Sequence, residues 1–145
     1  MIIIKEFYNS LPDLENEKLT KIHNQIFKSN DNLNEKISKK NKSIILIAYK
    51  ENEIIGYKIG YEINSSKFYS WLGGVKKEHR KHGIAQKLIN KQIEILKTKG
   101  YKIIQTKTFN KWKSMLILNI KNDFEITNCY TQNNDIAIIL EKNIE

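Results

Sequence analysis

The spacing of apolar residues changes period between residues 67 and 99, and this change constrains the fold more than any other feature of the chain. From Lys67 to Val75 the run Phe68, Tyr69, Trp71, Leu72 and Val75 reads as a strand. From Gly83 to Lys99, Ile84, Ala85, Leu88, Ile89, Ile93, Ile95 and Leu96 recur in steps of three and four, which predicts a helix with a broad buried face. Gly100 supplies its left-handed terminator. Between strand and helix lie Lys76, Lys77, Glu78, His79, Arg80, Lys81 and His82. A helix N-terminus presents unpaired N–H groups and the positive end of the dipole, so it receives anions, phosphates above all. Gly83 lacks a Cβ and lets a phosphate approach the backbone, while Arg80 and Lys81 add charge beside it. Gly73 and Gly74 are expected to permit a bulge that splays neighbouring strands and frees backbone groups for an extended ligand. A basic loop capping an ordinary helix accounts for the same residues, and both readings stand at this point.

The rest of the chain supplies the partners of that unit. Ile2 to Phe7, Ser43 to Tyr49 and Ile54 to Ile63 read as strands, the last two joined by a turn at Glu51-Asn52-Glu53. A further turn falls at Asn64-Ser65-Ser66. Leu14 to Phe27 has helical spacing with Asp13 placed as its cap, and a second helix is expected from Asn32 to Lys40. Beyond Gly100, strands are expected over Lys102–Thr108, Phe124–Tyr130 and Ile136–Leu140, with a helix over Lys111–Asn122. The order is β-α-α-β-β-β-α-β-α-β-β in one domain, residues 1–145.

Arg80-Lys81-His82-Gly83-Ile84-Ala85 resembles the R-x-x-G-x-A signature of the GNAT superfamily of N-acetyltransferases. The flanking stretches Ser70–Val75 and Gly83–Leu88 fit it too, and the element order is that family's own. The resemblance implies an α/β (α+β) fold. Its central sheet is mixed and mostly antiparallel, with about seven strands, about four flanking helices and a splayed, bulged centre. It implies acetyl-CoA as co-substrate, held by Gly74, Val75, Arg80, Lys81, His82, Gly83, Ile84, Ala85 and Asn110, with loop amides on the pyrophosphate. It also implies a backbone N–H near Gly74 and Val75 that binds the thioester oxygen in the transition state. The stretch from Asn110 to Phe124 resembles the family's later helix, with two departures. Asn119 stands where many members carry a Tyr that protonates the departing thiolate, and Asp123 replaces the usual Gly before Phe124. An Asn amide still donates a hydrogen bond, and Asp tolerates left-handed geometry.

The resemblance implies an N-acetyltransferase in which an amine attacks the thioester directly. An acyl-CoA-binding module with little catalysis is the alternative. An alkyl ammonium of pKa about 10.4 must lose a proton before attack. Glu62, late in its strand beside Tyr61, is the candidate base, and an exposed strand-end carboxylate is the competing account. His23 is expected to be a packed histidine and Cys129 a small core residue. Tyr69 and Trp71 alternate with Phe68 and Ser70, so one face of that strand is expected in the core and the other is expected to line the acceptor pocket.

The formal net charge of +9 raises the question of a nucleic-acid partner. No helix-turn-helix, zinc-finger or RNP-like signature accompanies it, and the one basic cluster is a loop, so no nucleic acid is expected. His79-x-x-His82 lacks partner ligands, so no metal is expected. The apolar start, Ile2-Ile3-Ile4, is too short for a secretory signal, and no run approaches the roughly 18 residues of a membrane span. A cytoplasmic protein without a membrane partner is expected. The amine acceptor is unspecified, and a homodimer is open to the chain.

Overall fold

The computed structural model describes all 145 residues. Its elements are β1 (Ile2–Tyr8), α1 (Asp13–Phe27), α2 (Leu33–Ile37), β2 (Ile44–Lys50), β3 (Glu53–Asn64), β4 (Lys67–Val75), α3 (Ile84–Thr98), β5 (Ile103–Phe109), α4 (Lys113–Lys121), β6 (Glu125–Gln132) and β7 (Asp135–Asn143), with one 3-10 turn at Lys77–His79. This is the expected order. The strands form one seven-stranded sheet, β1-β2-β3-β4-β5-β7-β6. Every neighbouring pair is antiparallel except β4 and β5, which α3 connects as a parallel crossover. No helix is long and apolar enough to cross a membrane.

Two cores follow from the alternation of side chains across the sheet. One contains Leu46, Phe68, Leu88, Leu96, Ile104 and Leu140 and lies under α3. The other contains Leu19, Leu33, Ile37, Ile45, Tyr57 and Ile59 and lies under α1 and α2. Cys129 joins neither; it is exposed on edge strand β6, contrary to expectation, because β6 pairs only with β7 and is exposed along nearly its whole length.

Three local expectations are corrected. Pro12, not Asp13, occupies the cap position of α1, and Asp13 joins the first turn as a dipole-compensating acid. The second helix is one five-residue piece, with Asn32 as cap accepting from the Glu35 N–H. The β4 bulge is at Trp71: Gly60 stands opposite Ser70 and Ile59 opposite Leu72, while Gly73 and Gly74 stay in the ladder opposite Lys58 and Tyr57. The glycine the bulge needs is on the partner strand, since a Cβ at Gly60 would overlap the Phe68 ring. The expectation for Asp123 holds, with a left-handed φ of 66°.

The parallel pairing of β4 and β5 spans only Lys67–Ser70 against Ile103–Thr106. Beyond it, Gly73 to Val75 stay with β3 and Lys107 to Phe109 with β7. The sheet is therefore continuous at one end of this pair and open at the other, and the basic loop sits at the open end.

Candidate functional site

The walls of the opening present backbone as well as side chains. Lys76 N–H donates to Ile55 O at 2.8 Å, and Gly74 stands opposite Tyr57. Antiparallel ladders alternate between residue pairs that bond each other and pairs that do not. The backbone groups of Gly74 therefore turn to β3, and those of Gly73 and Val75 turn to the opening. Val75 O is met there by Arg80 Nε at 3.0 Å. Of the two residues expected to supply a donor, the register sends Val75 to the opening and Gly74 away from it, with Gly73 as the second open position.

The loop delivers charge to the mouth. Lys76 is tied to Glu53 at 2.8 Å and Glu78 at 3.6 Å, and the Glu53 carboxylate holds its ammonium above the usual lysine range. Lys77, His79, Arg80, Lys81 and His82 have no carboxylate within ion-pair distance. Lys81 and Gly83 both adopt left-handed φ, 65° and 76°. This folds the chain so that α3 opens at Ile84 with no side-chain cap. The Gly83 Cβ position has nothing within 4 Å, so it faces open space. Ile84 is buried against Gly56, and Ala85 follows it in the first turn, with both amides among the unpaired donors of α3. Asn110 lies just past β5 on the far wall, its N–H on Ile136 O and its side chain accepting from Lys113 Nζ. Asn119 of α4 is buried, with α4 packed through Leu116 against the core under α3.

Glu62 is not brought to this opening. It stands opposite Phe68, inside the stretch where β4 is paired with β5, and five steps along β4 from Gly73, about 17 Å. Its oxygens accept from Tyr101 Oη at 2.9 Å and Asn41 Nδ2 at 3.0 Å, with Lys42 Nζ at 3.7 Å. Those partners tie the end of β3 to the segment before β5 and leave the carboxylate in a separate hollow lined by Tyr8, Ser43 and Lys99.

A buried polar chain that no sequence motif marks lies beside Gly74. His23 of α1 is 3% exposed. Its Nδ1 meets Tyr57 Oη at 2.5 Å and its Nε2 meets Asp31 Oδ2 at 3.0 Å. Burial holds the His23 imidazolium below its ordinary range and pushes the Tyr57 phenol far up, while the His23 hydrogen bond holds Asp31 low. Neutral His23 therefore accepts from Tyr57 and donates to the Asp31 carboxylate. Separations of 8 and 34 residues carry no motif. On the same face Tyr61 stacks on Trp71 at 5.5 Å and touches Tyr69 at 5.4 Å, with Lys40 Nζ 4.8 Å from the Tyr61 ring centre.

An open parallel pair with free backbone groups on one wall, and a helix start beneath a basic loop at its mouth, offers a long groove with anion-attracting groups at one end. Residues 6–112 match the acetyltransferase (GNAT) family. The chain belongs to the GNAT family. No curated protein matches it by sequence. Solved structures share the fold at low identity. An aminoglycoside 6'-N-acetyltransferase complexed with coenzyme A has a TM-score of 0.84 at 15% identity, over 99% of this chain and 97% of its own. Arabidopsis thaliana NAA60 with a bisubstrate analogue has a TM-score of 0.80 at 15% identity, over 99% and 98%. A GNAT acetyltransferase from Elizabethkingia anophelis with acetyl-CoA bound has a TM-score of 0.71 at 20% identity, over 98% and 97%. The GNAT fold here is the seven-stranded open sheet with its helices, as expected.

Proposed function

We propose that the protein transfers the acetyl group of acetyl-CoA to an amine by direct attack on the thioester. The observation that carries this is the opening between β4 and β5, with free backbone groups at Gly73 and Val75 leading to the α3 start. The pyrophosphate belongs on the amides of Gly83, Ile84 and Ala85, with Arg80, Lys81 and His82 around it. The pantetheine belongs along β4, pairing with Val75 and Gly73, with Asn110 and Asn119 on the wall made by β5 and α4. From Val75 back to Ser70, where β4 joins β5, is about 17 Å of strand, which an extended arm spans. The Gly73 N–H then lies where the thioester oxygen gains charge.

The acceptor belongs on the face of Tyr61, Tyr69 and Trp71, across the sheet from α3. Glu62 has no part in this arrangement. The amine proton leaves on that face to water or to the Tyr57–His23–Asp31 chain, whose Asp31 end is partly exposed. The test is an acceptor panel of small amines, amino acids, peptide N-termini and peptide lysines. Purified protein and acetyl-CoA are monitored for free thiol, with acetylated product confirmed by mass. At least one class should release thiol in proportion to acetyl-amine formed. Tight binding of acetyl-CoA with no turnover on any class would replace this reading with a binding module.

A further inference from the structure

A lysine sits inside the apolar part of β3. The strand reads Ile54-Ile55-Gly56-Tyr57-Lys58-Ile59, and Tyr57 and Ile59 belong to the core under α1 and α2. Lys58 points to the opposite face, under α3, in a row with Leu46 of β2 and Gly73 of β4. Its Cγ lies 3.8 Å from the position a Gly73 Cβ would take, so the side chain lies against β4, where Gly73 has no side chain to block the way across to the opening. The residue keeps some accessible surface, yet burial alone pulls its ammonium down to about 8. Both hold together for a side chain at the bottom of a crevice.

Nothing around it balances the charge. Glu6 on the same row is engaged by Lys91 of α3 at 3.8 Å. Glu62 is held by Tyr101, Asn41 and Lys42. From α3 the buried polar residue is Gln92, and from α4 it is Asn119, both uncharged. On the β5 wall Thr108, which shares the face of Ile104, has a buried hydroxyl with no partner. A desolvated cation of this kind is stabilised by an anion that enters the crevice. The phosphates of the ligand stop at the loop. Two groups at the Gly73 row gain negative charge: the thioester oxygen, which the Gly73 N–H meets in the transition state, and the sulfur, which has no such donor and keeps its charge as it departs.

We propose that Lys58 is a catalytic residue that pairs with the coenzyme A sulfur and protonates it as the thioester breaks. The inference rests on acetyl-CoA occupying the opening. The amine nitrogen bonds to the carbonyl carbon and the C–S bond breaks, leaving its electron pair on sulfur. Sulfur takes the proton of the Lys58 ammonium and departs as a thiol. Lys58, now neutral, is reprotonated through solvent by the proton the acetylated amine gives up.

The test needs no acceptor. Coenzyme A is bound to wild type and to Lys58→Met, and its thiolate absorbance is followed with pH, with desulfo-coenzyme A as the blank. The thiol bound to wild type should titrate at least about one unit below its free value near 8.5. In Lys58→Met it should titrate at or above the free value, because the dry crevice then disfavours the thiolate. Desulfo-coenzyme A should bind both proteins equally, which also shows the variant is folded. Equal thiol titration in the two proteins overturns the proposal, and so does parallel loss of both ligands in the variant. If neither ligand binds wild type, the fault lies in the functional reading itself.

Discussion

At the scale of single residues, Gly83 separates an anion site from a helix cap. Its φ of 76° strains any residue with a Cβ, by roughly 1–2 kcal/mol, although its Cβ position faces open space. Strain is therefore common to every substitution and must be cancelled by the choice of pair. Asn and Asp have the same shape and tolerate left-handed geometry alike, and they differ only in charge. With a pyrophosphate on the α3 amides, Gly83→Asp should bind coenzyme A at least tenfold more weakly than Gly83→Asn, about 1.4 kcal/mol. Isothermal titration of the two variants reads this directly, and equal affinity would remove the phosphate from this loop. The loop was legible in the sequence because Arg80, Gly83 and Ala85 stand in one short segment. Lys58 was not legible as a site, because its place beside Gly73 depends on the irregular register between β3 and β4. The His23, Tyr57 and Asp31 chain was not legible, because its three members come from α1, β3 and the segment before α2.

At the scale of elements, periodicity recovered the element order because strands and helices were separated by clear turns. It failed where a contact from elsewhere decides. The bulge was expected at Gly73 and Gly74, the permissive residues of β4, yet it formed at Trp71, where Gly60 across the ladder makes room for Phe68. Cys129 was placed in the core by residue type, but edge position left it exposed. Helix α1 is anchored through His23, and that anchor responds to acid. The folded-state pKa of His23 lies below its ordinary value because burial disfavours the imidazolium. The unfolded chain therefore takes up the proton first, below about pH 6.5. The anchor's stability is fully present above that value and is lost as pH falls through and below it. Between pH 7.5 and 5.5 the wild type should lose on the order of 1 kcal/mol more than His23→Gln, by urea denaturation at each pH. A difference of zero would mean that Asp31 keeps His23 as protonated in the fold as in the unfolded chain.

At the scale of the whole molecule, the sheet is a continuous seven-stranded ladder with one seam, and the seam makes a residue-by-residue expectation. β4 keeps its bonds to β3 along its open length while its other edge faces β5 across the gap. Alternation then gives neighbouring amides opposite fates. Gly74 N–H is turned to Tyr57 and should exchange slowly with or without ligand. Gly73 and Val75 N–H face the opening and should exchange fast in the free protein. A pantetheine arm lying along β4 pairs with that second set and with no other. Saturating coenzyme A should therefore slow exchange at Gly73 and Val75 by at least tenfold beyond any change at Gly74, read by NMR-detected hydrogen exchange. Global stabilisation by ligand, about 2.7 kcal/mol at a hundredfold excess over Kd, slows only amides that exchange through complete unfolding. It cannot reproduce a pattern that alternates along one strand. Uniform protection across Gly73, Gly74 and Val75 would place the ligand off the β4 edge. Protection confined to Gly83, Ile84 and Ala85 would leave the phosphates at the loop with the arm directed elsewhere.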